Sequence, residues 1–201
     1  MIPSVLPRMH TLVCNVKRND RVYAVALDEK GDYMVVGGRD KKLAMYDVDR
    51  GEGRPSPYSP VEAVLLWEVS SEDFIYCVTL SRDMQFVAYG GTAKKAVLLS
   101  ARSGTVLFEL SQPGVIWSVA MHDSQMGWQL AVGGELPVIS VVRVEQQVEV
   151  LQLPVSGTCL PSLRMDVLLA ATFQVRSVTF VGPSSDSSPR VCCLPSRRDY
   201  L

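Results

Sequence analysis

Five basic side chains follow two Gly-Gly pairs, in a pattern that favours the recognition of anions. They are Arg39, Lys41 and Lys42 after the first pair, and Lys94 and Lys95 after the second. If both turns lie on one side of the molecule, the five cations form one rim, with Asp40 as the only local counter-charge. Clustered cations speed and orient the encounter with acidic peptides or phosphate groups at low salt. The alternative is a set of solvated turn residues that bind no partner.

A proline-rich insertion, Gly51 to Pro60, carries a second pair of candidate residues. Ser56 and Ser59 each precede a proline in this segment, which cannot pair as a central strand and is expected to project as a loop. A phosphate on either serine would add about −1.5 to −2 elementary charges. We therefore treat Ser56 and Ser59 as candidate phosphorylation sites, and a loop without a regulatory role is the alternative.

The sequence carries no motif of a catalytic centre. It has no Gly-rich phosphate loop ending in Gly-Lys-Ser/Thr, no His-Glu-x-x-His and no Gly-x-Ser-x-Gly, which are the common signatures of enzymatic sites. Of its two histidines, His10 has no neighbour that would orient it as a base, and His122 is expected in a turn. We predict that the chain is not an enzyme and uses no cofactor.

The cysteines do not indicate a metal site or a disulfide framework. They are five in number and have no Cys-x-x-Cys spacing, so neither zinc binding nor a set of disulfides follows. The vicinal Cys192 and Cys193 could form a redox pair, but adjacent residues of a strand point to opposite faces of a sheet.

The charge balance limits the classes of partner. Twenty basic and 21 acidic side chains leave a formal net charge of −1, so no protein-wide field steers the chain toward nucleic acid or an anionic membrane.

The longest apolar stretch, Val167 to Phe173, is far shorter than the roughly 20 residues of a membrane helix. The N-terminus lacks the features of a secretory signal. We predict a cytoplasmic, soluble protein whose partners are other proteins.

The candidate residues are positioned by a sequence repeat. The segment Ile75 to Gly91 (IYCVTLSRDMQFVAYGG) has close variants at Val22 to Gly38 and at Ile116 to Gly134. In each copy an aromatic residue follows a β-branched one, and an apolar run ends on Gly-Gly. The aromatic residues recur after about 53 and then 41 residues, which brackets the period of a propeller blade once the insertion is allowed for.

Alternating apolar residues and turn signals divide each repeat into four short strands. We expect units at residues 21–69, 74–110, 115–153 and 154–194, after a lead with a lone strand in 1–20 and before a tail, 195–201. In the fourth unit, Val155 to Ala171 is interpreted as a decayed copy of the first two strands. Val175 to Val181 is then the third strand and Arg190 to Leu194 the fourth.

These residues resemble the WD-repeat β-propeller family. In the first copy, Asp40 matches the structural turn aspartate of the family, and Tyr46-Asp47 stands where Trp-Asp normally closes the third strand. In the second copy, Leu99-Ser100 replaces Trp-Asp and Ala93 replaces the turn aspartate, so the hydrogen-bonded tetrad of the family is not carried over. The resemblance implies an all-β propeller of about four four-stranded antiparallel blades. A generic antiparallel sandwich is the alternative.

The resemblance implies a function in binding. We predict a non-catalytic platform, scaffold or adaptor for protein assembly. One alternative is a regulatory or sensory fragment of a larger multidomain protein. Another is a propeller with a ligand site in its central channel, although the inner strands VYAVAL, IYCVTL and IWSVAM offer no cluster of acidic or basic residues.

About four blades are too few for a seven-bladed ring, since a WD-type blade takes about 40–45 residues. We therefore expect an open arc, completion by another chain, or association of two copies. A closed four-bladed ring is the other outcome. It would require the strand His10 to Val16 to pair with Val175 to Val181.

Overall fold

The computed structural model describes residues 14–48, 61–124, 127–136, 138–145, 148–154, 167–168, 175–181 and 190–195. All regular elements within these ranges are β-strands. The inserted segment with Ser56 and Ser59, and also His10, lie outside the described residues. An all-β fold built from four-stranded antiparallel sheets, as the sequence predicts, is confirmed.

The first sheet, blade one, is preceded by a short strand, β1, and interrupted by another, β5. The strands in chain order are β1 (Cys14–Asn15), β2 (Val22–Leu27), β3 (Tyr33–Gly38), β4 (Lys42–Asp47), β5 (Val61–Glu62) and β6 (Val64–Ser70). Blade one has the order β2-β3-β4-β6, and each neighbouring pair is antiparallel. β1 pairs in parallel with β5.

Blades two and three repeat this meander. Their strands are β7 (Ile75–Leu80), β8 (Phe86–Gly91), β9 (Lys95–Ser100), β10 (Val106–Ser111), β11 (Ile116–Ser124), β12 (Gly127–Gly134), β13 (Val138–Arg143) and β14 (Val148–Pro154). In both sheets the strands follow chain order, with β7 and β11 as the innermost strands. The expectation that His122 lies in a turn is wrong, because β11 extends through it and pairs it with Gln129.

The turns between the first two strands are closed by side-chain hydrogen bonds. In blade one, Asp28 Oδ1 accepts from the Tyr33 N–H at 2.8 Å, and Gly31 takes φ of 80°. In blade two, Ser81 Oγ accepts from the Phe86 N–H at 2.8 Å, and the left-handed position is held by Met84 with φ of 58°. The two blades therefore share one turn geometry with different residue types.

The Gly-Gly pairs have a steric cause. A Cβ on Gly37 would lie 2.6 Å from Ile75 Cγ2, and one on Gly90 would lie 2.5 Å from Ile116 Cγ2. The first glycine of these two pairs therefore leaves a recess for the first residue of the inner strand of the next blade. A Cβ on the second glycine, Gly38, would lie 2.1 Å from the carbonyl oxygen of Arg21, which precedes its own inner strand.

The core consists of the layers between successive blades. Between blades one and two, Val35, Leu43 and Met45 of blade one pack against residues of blade two that include Ile75 and Leu99. The layer between blades two and three contains Ala88, Ala96, Leu98, Ile116, Val119, Trp128, Leu130, Val132 and Val144. Because one blade alone cannot bury its faces, stacking is what stabilises the array.

The fourth unit differs from the sequence-based expectation. Its strands are β15 (Val167–Leu168), β16 (Val175–Val181) and β17 (Arg190–Pro195), in the order β15-β17-β16. β16 packs against β11 and β12, which places it as the inner strand of this unit rather than the third strand. β17 pairs antiparallel with β16 and is therefore the second strand, whereas β15 pairs with β17 in parallel.

A one-residue bulge marks the same place in all four inner strands. The register shifts between Val22 and Ala24, Ile75 and Cys77, Ile116 and Ser118, and Val175 and Ser177. The extra residues are therefore Tyr23, Tyr76, Trp117 and Arg176. Val175-Arg176-Ser177-Val178 is thus the fourth copy of the motif, and the arginine in the aromatic position concealed it.

The strand pairing that would close a four-bladed ring does not form among the described residues. Of the predicted lone strand, His10 to Val16, the structure describes the last three residues, and within these Cys14–Asn15 pairs with Val61–Glu62 and not with β16. Val16 and Ala63 instead pack against Val36 and Tyr46 of the two middle strands of blade one, on the opposite face from the layer shared with blade two.

Candidate interaction surface

The turns after Gly38 and Gly91 lie at one end of blades one and two, because both blades have the same register. Lys41 and Lys94 occupy matching positions in these turns, each with φ of 59°. The two turns also make equivalent backbone hydrogen bonds. The carbonyl oxygen of Lys41 accepts from the Ser71 N–H, and that of Lys94 accepts from the Gln112 N–H, both at 2.7 Å. The structure thus places the candidate cations along one end of the array, which we call the turn rim.

The turn rim is not an unbalanced basic patch. Four of its five cations form ion pairs: Arg39 with Asp20 at 3.6 Å, Lys41 with Asp73 at 3.1 Å, Lys42 with Glu68 at 2.5 Å and Lys95 with Glu72 at 2.5 Å. The expectation that Asp40 is the only local counter-charge is therefore wrong. The carboxylates come from the segment before β2, from β6 and from the loop before β7. Among the described residues, none forms an ion pair with the Lys94 ammonium group.

Three of these ion pairs shift the pKa values of their members. The hydrogen bond from Lys42 lowers the pKa of Glu68, and the nearby Arg18 adds to the effect. The hydrogen bond from Lys41 lowers the pKa of Asp73, and the bond to Glu72 raises the pKa of Lys95. The lowered pKa values keep Glu68 and Asp73 anionic at neutral pH, and the raised pKa keeps Lys95 cationic, so the turn rim presents groups of both signs.

Asp40 belongs to a buried network that sequence reasoning missed. Arg18 Nη2 lies 2.7 Å from Asp40 Oδ2, and their side chains are only 6% and 7% exposed. The guanidinium group also donates to the Tyr46 hydroxyl at 3.0 Å and to the Lys42 carbonyl oxygen at 3.1 Å. Although burial opposes its charge, the Tyr46 hydroxyl and nearby carboxylates raise the pKa of Arg18. Blade one therefore contains a polar network in which Arg18, a residue that precedes the first repeat, binds Asp40 and Tyr46 of the repeat.

Aromatic groups lie beside the turn rim. The Arg39 guanidinium and the Lys41 ammonium lie 5.8 and 5.4 Å from the centre of the Phe74 ring, within the range of a cation–π contact. Phe74 immediately precedes β7, so this ring connects the first turn of the rim to the inner strand of blade two.

The bulged residues of the three inner strands form a row of rings. The centroids of Tyr23 and Tyr76 are 5.3 Å apart, and those of Tyr76 and Trp117 are 4.9 Å apart with nearly parallel planes. Each bulge lies opposite a Gly-Gly pair, so the row runs along the inner side of the turn rim. Repetition of one bulge thus produces a continuous aromatic surface across three blades, which we call the aromatic row.

A cleft lies between blades one and two at the opposite end. Its volume is about 310 Å³, and its lining includes Tyr33, Asp47, Leu66, Met84 and Arg102. Within the described ranges, no group of three or more His, Cys, Asp or Glu side chains could hold a metal ion.

The part of the chain that the structure describes contains no helix long and apolar enough to span a membrane.

The sheets, their stacking and the repeated bulge define an array of WD40-type propeller blades. The solved structures that are similar to it include one described as the crystal structure of RRP9 WD40 repeats and one described as the structure of U3-55K. The TM-scores are 0.63 and 0.62, at sequence identities of 12% and 13%. Each match covers 82% of this chain, but only 43% and 44% of the respective solved chains.

At these identities the similarity concerns the fold alone. The chain spans less than half the length of either solved structure. No family model matches the sequence, and no curated protein has significant similarity to it.

Proposed function

We propose that the chain is a non-catalytic platform for protein binding, and that its partners contact the turn rim and the aromatic row. The observation that carries the proposal is the row itself. Tyr23, Tyr76 and Trp117 come from three repeats yet form one surface, and Tyr23 is 41% exposed. Aromatic residues are enriched at protein interfaces because they contribute large apolar area at a low entropic cost.

The turn rim determines which partner charge fits. Arg39, Lys41, Lys42 and Lys95 each stand next to a carboxylate, so a partner with only acidic groups would meet both signs of charge. A partner segment with acidic and basic residues in alternation would satisfy both. Lys94, which pairs with no described carboxylate, would accept an additional acidic or phosphate group. Such rim charges act on the association rate and on specificity more than on affinity.

The proposal is tested by affinity capture from native extract, with the full chain as bait and identification by mass spectrometry. One variant replaces two neighbouring rings of the aromatic row, the exposed Tyr23 and the half-buried Tyr76, by alanine, and another reverses charge at Lys41, Lys42, Lys94 and Lys95. The matched control is Lys30→Glu, which changes an exposed lysine at the opposite end of blade one. We expect both rim variants to lose partners that the control retains. If every captured protein stays bound to both variants, the partner surface lies elsewhere.

Regulation by phosphorylation at Ser56 and Ser59 remains part of this proposal. The insertion joins β4 to the segment before β6, and β6 supplies Glu68 to the turn rim. A phosphate in the insertion would add negative charge to the blade that carries Lys42. Intact-mass analysis of the protein from its native source tests this, and a peptide that never carries phosphate under any growth condition would refute it.

We also propose a cytoplasmic location. In support, Cys14 and Cys77 are both free thiols, which fits a reducing compartment. Fractionation of source cells with detection of the chain checks this, and recovery from an oxidising compartment would contradict it.

A further inference from the structure

The position four residues before each inner strand carries a different side chain in each of the first three blades. It is Arg18 in blade one, Ser71 in blade two and Gln112 in blade three. In blade one the Arg18 guanidinium group binds the buried Asp40. In blade three the Gln112 side chain donates to the Ser140 hydroxyl at 3.1 Å. Blades one and three therefore fill this place with a long polar side chain of their own.

Blade two has a cavity at the matching place. Its volume is about 140 Å³, and Ser71 and Ala93 are among its lining residues. Ala93 stands where blade one has Asp40, two residues after the second glycine. Two short side chains thus replace the Arg18–Asp40 pair. A cavity of roughly 10–15 Å³ holds one water molecule, so this one, which we call the blade-two cavity, has room for a group of several heavy atoms.

The register of the strands shows that the two places are equivalent. Glu109 pairs with Val97 of β9, as Glu68 pairs with Ala44 of β4. Glu109 is therefore the counterpart of Glu68, which in blade one accepts from Arg18 at 3.3 Å. Because Glu109 also lines the blade-two cavity, the cavity keeps one carboxylate of the guanidinium site of blade one.

The charges around the cavity leave a place for one cation. In blade one, the two cations Arg18 and Lys42 contact two carboxylates. In blade two, the Lys95 ammonium lies 2.5 Å from Glu72 and 3.5 Å from Glu109. Within the described ranges, blade two thus has two carboxylates for a single cation at this place. The Glu72 and Glu109 side chains are 68% and 47% exposed, so a cation from solution can reach both.

The rest of the lining suits a guanidinium group. Val69, Val97 and Tyr89 form apolar walls, against which the stem and the planar head of an arginine can pack. Burial raises the pKa of the Tyr89 hydroxyl, so this group stays neutral and can accept a hydrogen bond. In blade one a tyrosine hydroxyl, that of Tyr46, accepts from Arg18. An ammonium group is compact and strongly hydrated, so it gains less from such walls.

We propose that the blade-two cavity binds the guanidinium group of an arginine side chain from a partner protein, in the place that Arg18 takes in blade one. The group would donate to the Glu109 carboxylate and to the Tyr89 hydroxyl. The inference rests on the proposed function, because Lys95 of the turn rim lines the cavity, and it names one basic group that the partner segment supplies there.

The chemistry is tested with the full chain and a tripeptide that has arginine between two glycines and is blocked at both ends. Binding is followed by two-dimensional NMR of the isotopically labelled chain, through the amide signals of Ala93 and Lys95. A lysine tripeptide tests for the guanidinium group, and a citrulline tripeptide, a neutral isostere, tests for the charge. We expect saturable shifts with arginine, weaker binding with lysine and no binding with citrulline.

Two variants separate the cavity from general surface charge. Ser71→Arg/Ala93→Asp copies the blade-one pair into blade two and should abolish binding of the arginine tripeptide, because a guanidinium group of the chain then fills the cavity. Glu109→Gln keeps the shape and should weaken binding by about three- to tenfold. The matched control, Glu29→Gln, removes an exposed carboxylate that pairs with Arg82 at the opposite end, and should bind as the wild type does. A well-dispersed spectrum shows that a variant is folded.

Affinity capture with the same variants tests whether the arginine comes from a protein. Ser71→Arg/Ala93→Asp should lose a captured protein that Glu29→Gln retains. The tripeptide needs no partner protein, and these variants leave the aromatic row unchanged. A failure of the arginine site is therefore distinguishable from a failure of the proposed function.

Three results would overturn the inference. The first is a folded wild-type chain whose Ala93 and Lys95 signals do not respond to the arginine tripeptide. The second is binding that is equal for the lysine tripeptide, or equal in folded Glu109→Gln, since the cavity would then not recognise a guanidinium group. The third is tripeptide binding without the loss of any captured protein from Ser71→Arg/Ala93→Asp, because the ligand would then be a small guanidinium compound.

Discussion

The Arg18–Asp40 ion pair permits the sharpest test of what holds blade one together. Both side chains are almost fully buried, at 6% and 7% exposure. Replacing Arg18 by methionine keeps much of the side-chain volume but leaves the Asp40 carboxylate buried without its counter-charge. Breaking a buried pair by removing one partner typically costs about 3–5 kcal/mol. We expect Arg18→Met to lower the free energy of unfolding by that amount.

The matched changes separate charge from packing. Asp40→Asn removes the charge yet keeps an oxygen that can accept from the Lys42 N–H, as Asp40 Oδ1 does at 3.2 Å. In the double variant neither partner leaves an isolated buried charge. Its loss should therefore be smaller than the sum of the two single losses, by about 0.5–3 kcal/mol for residues in direct contact. Arg18→Lys keeps the charge but cannot reach all of the acceptors, so it should fall between wild type and Arg18→Met.

The assay is equilibrium unfolding in urea, followed by the fluorescence of the chain's three tryptophans. An unchanged slope with a lower midpoint would show that stability changed and that the denatured state did not. Two results would refute the reasoning. One is a loss below about 0.5 kcal/mol for Arg18→Met, the range of an ordinary surface substitution. The other is strict additivity of the two single variants.

Four further predictions concern single positions. Gly90→Ala should destabilise by about 1–3 kcal/mol through overpacking against Ile116, and a thermal midpoint equal to wild type would contradict the recess. Lys94→Gly should stabilise the folded chain by about 1 kcal/mol, because glycine adopts the left-handed conformation of this position without the steric cost of a Cβ. Lys95→Gly, inside a strand, should destabilise it, and equal urea midpoints for the two variants would refute this. Burial raises the pKa of Cys77 to about 12, so this thiol should not react with Ellman's reagent at pH 8 until urea unfolds the chain. The lowered pKa of Glu68 adds stability above the unfolded value of about 4.5, which is lost as pH falls through the folded pKa; a Glu68→Gln variant should show a weaker loss below pH 5, and an unchanged acid profile would contradict it.

The repeat made most of the fold predictable. A β-branched residue, an aromatic residue and a closing Gly-Gly recur in the first three copies because each of these blades has the same steric requirements. The positions of the first three sheets could therefore be predicted from this pattern. The fourth unit did not, because Arg176 replaces the aromatic residue and Leu194-Pro195 replaces Gly-Gly. A better signal was the small residue at the third position, which is Ala24, Cys77 or Ser118 in the first three copies and Ser177 in the fourth.

The candidate surface was predictable in position but not in electrostatics. Lys41 and Lys94 take matching places because their turns are equivalent in sequence. The partner of Lys41 is not local, since Asp73 reaches it from the loop before the next blade. Arg18 lies 22 residues before Asp40 and belongs to no repeat. Contacts of this kind depend on how blades and connecting segments stack, which no periodicity in the sequence records.

The bulge in each inner strand has a consequence for which changes of length the chain tolerates. Ile75 and Val78 are three positions apart, so in a regular strand they would point to opposite faces. They pack in the same layer, against blade one, because the extra residue Tyr76 shifts the phase of the alternation between them. Deleting Tyr76 would hardly shorten the strand, but it would exchange the faces of every residue on one side of the deletion. Point substitution of the aromatic residue, as at Arg176, preserves that phase, so residue type can vary at a position where residue number cannot.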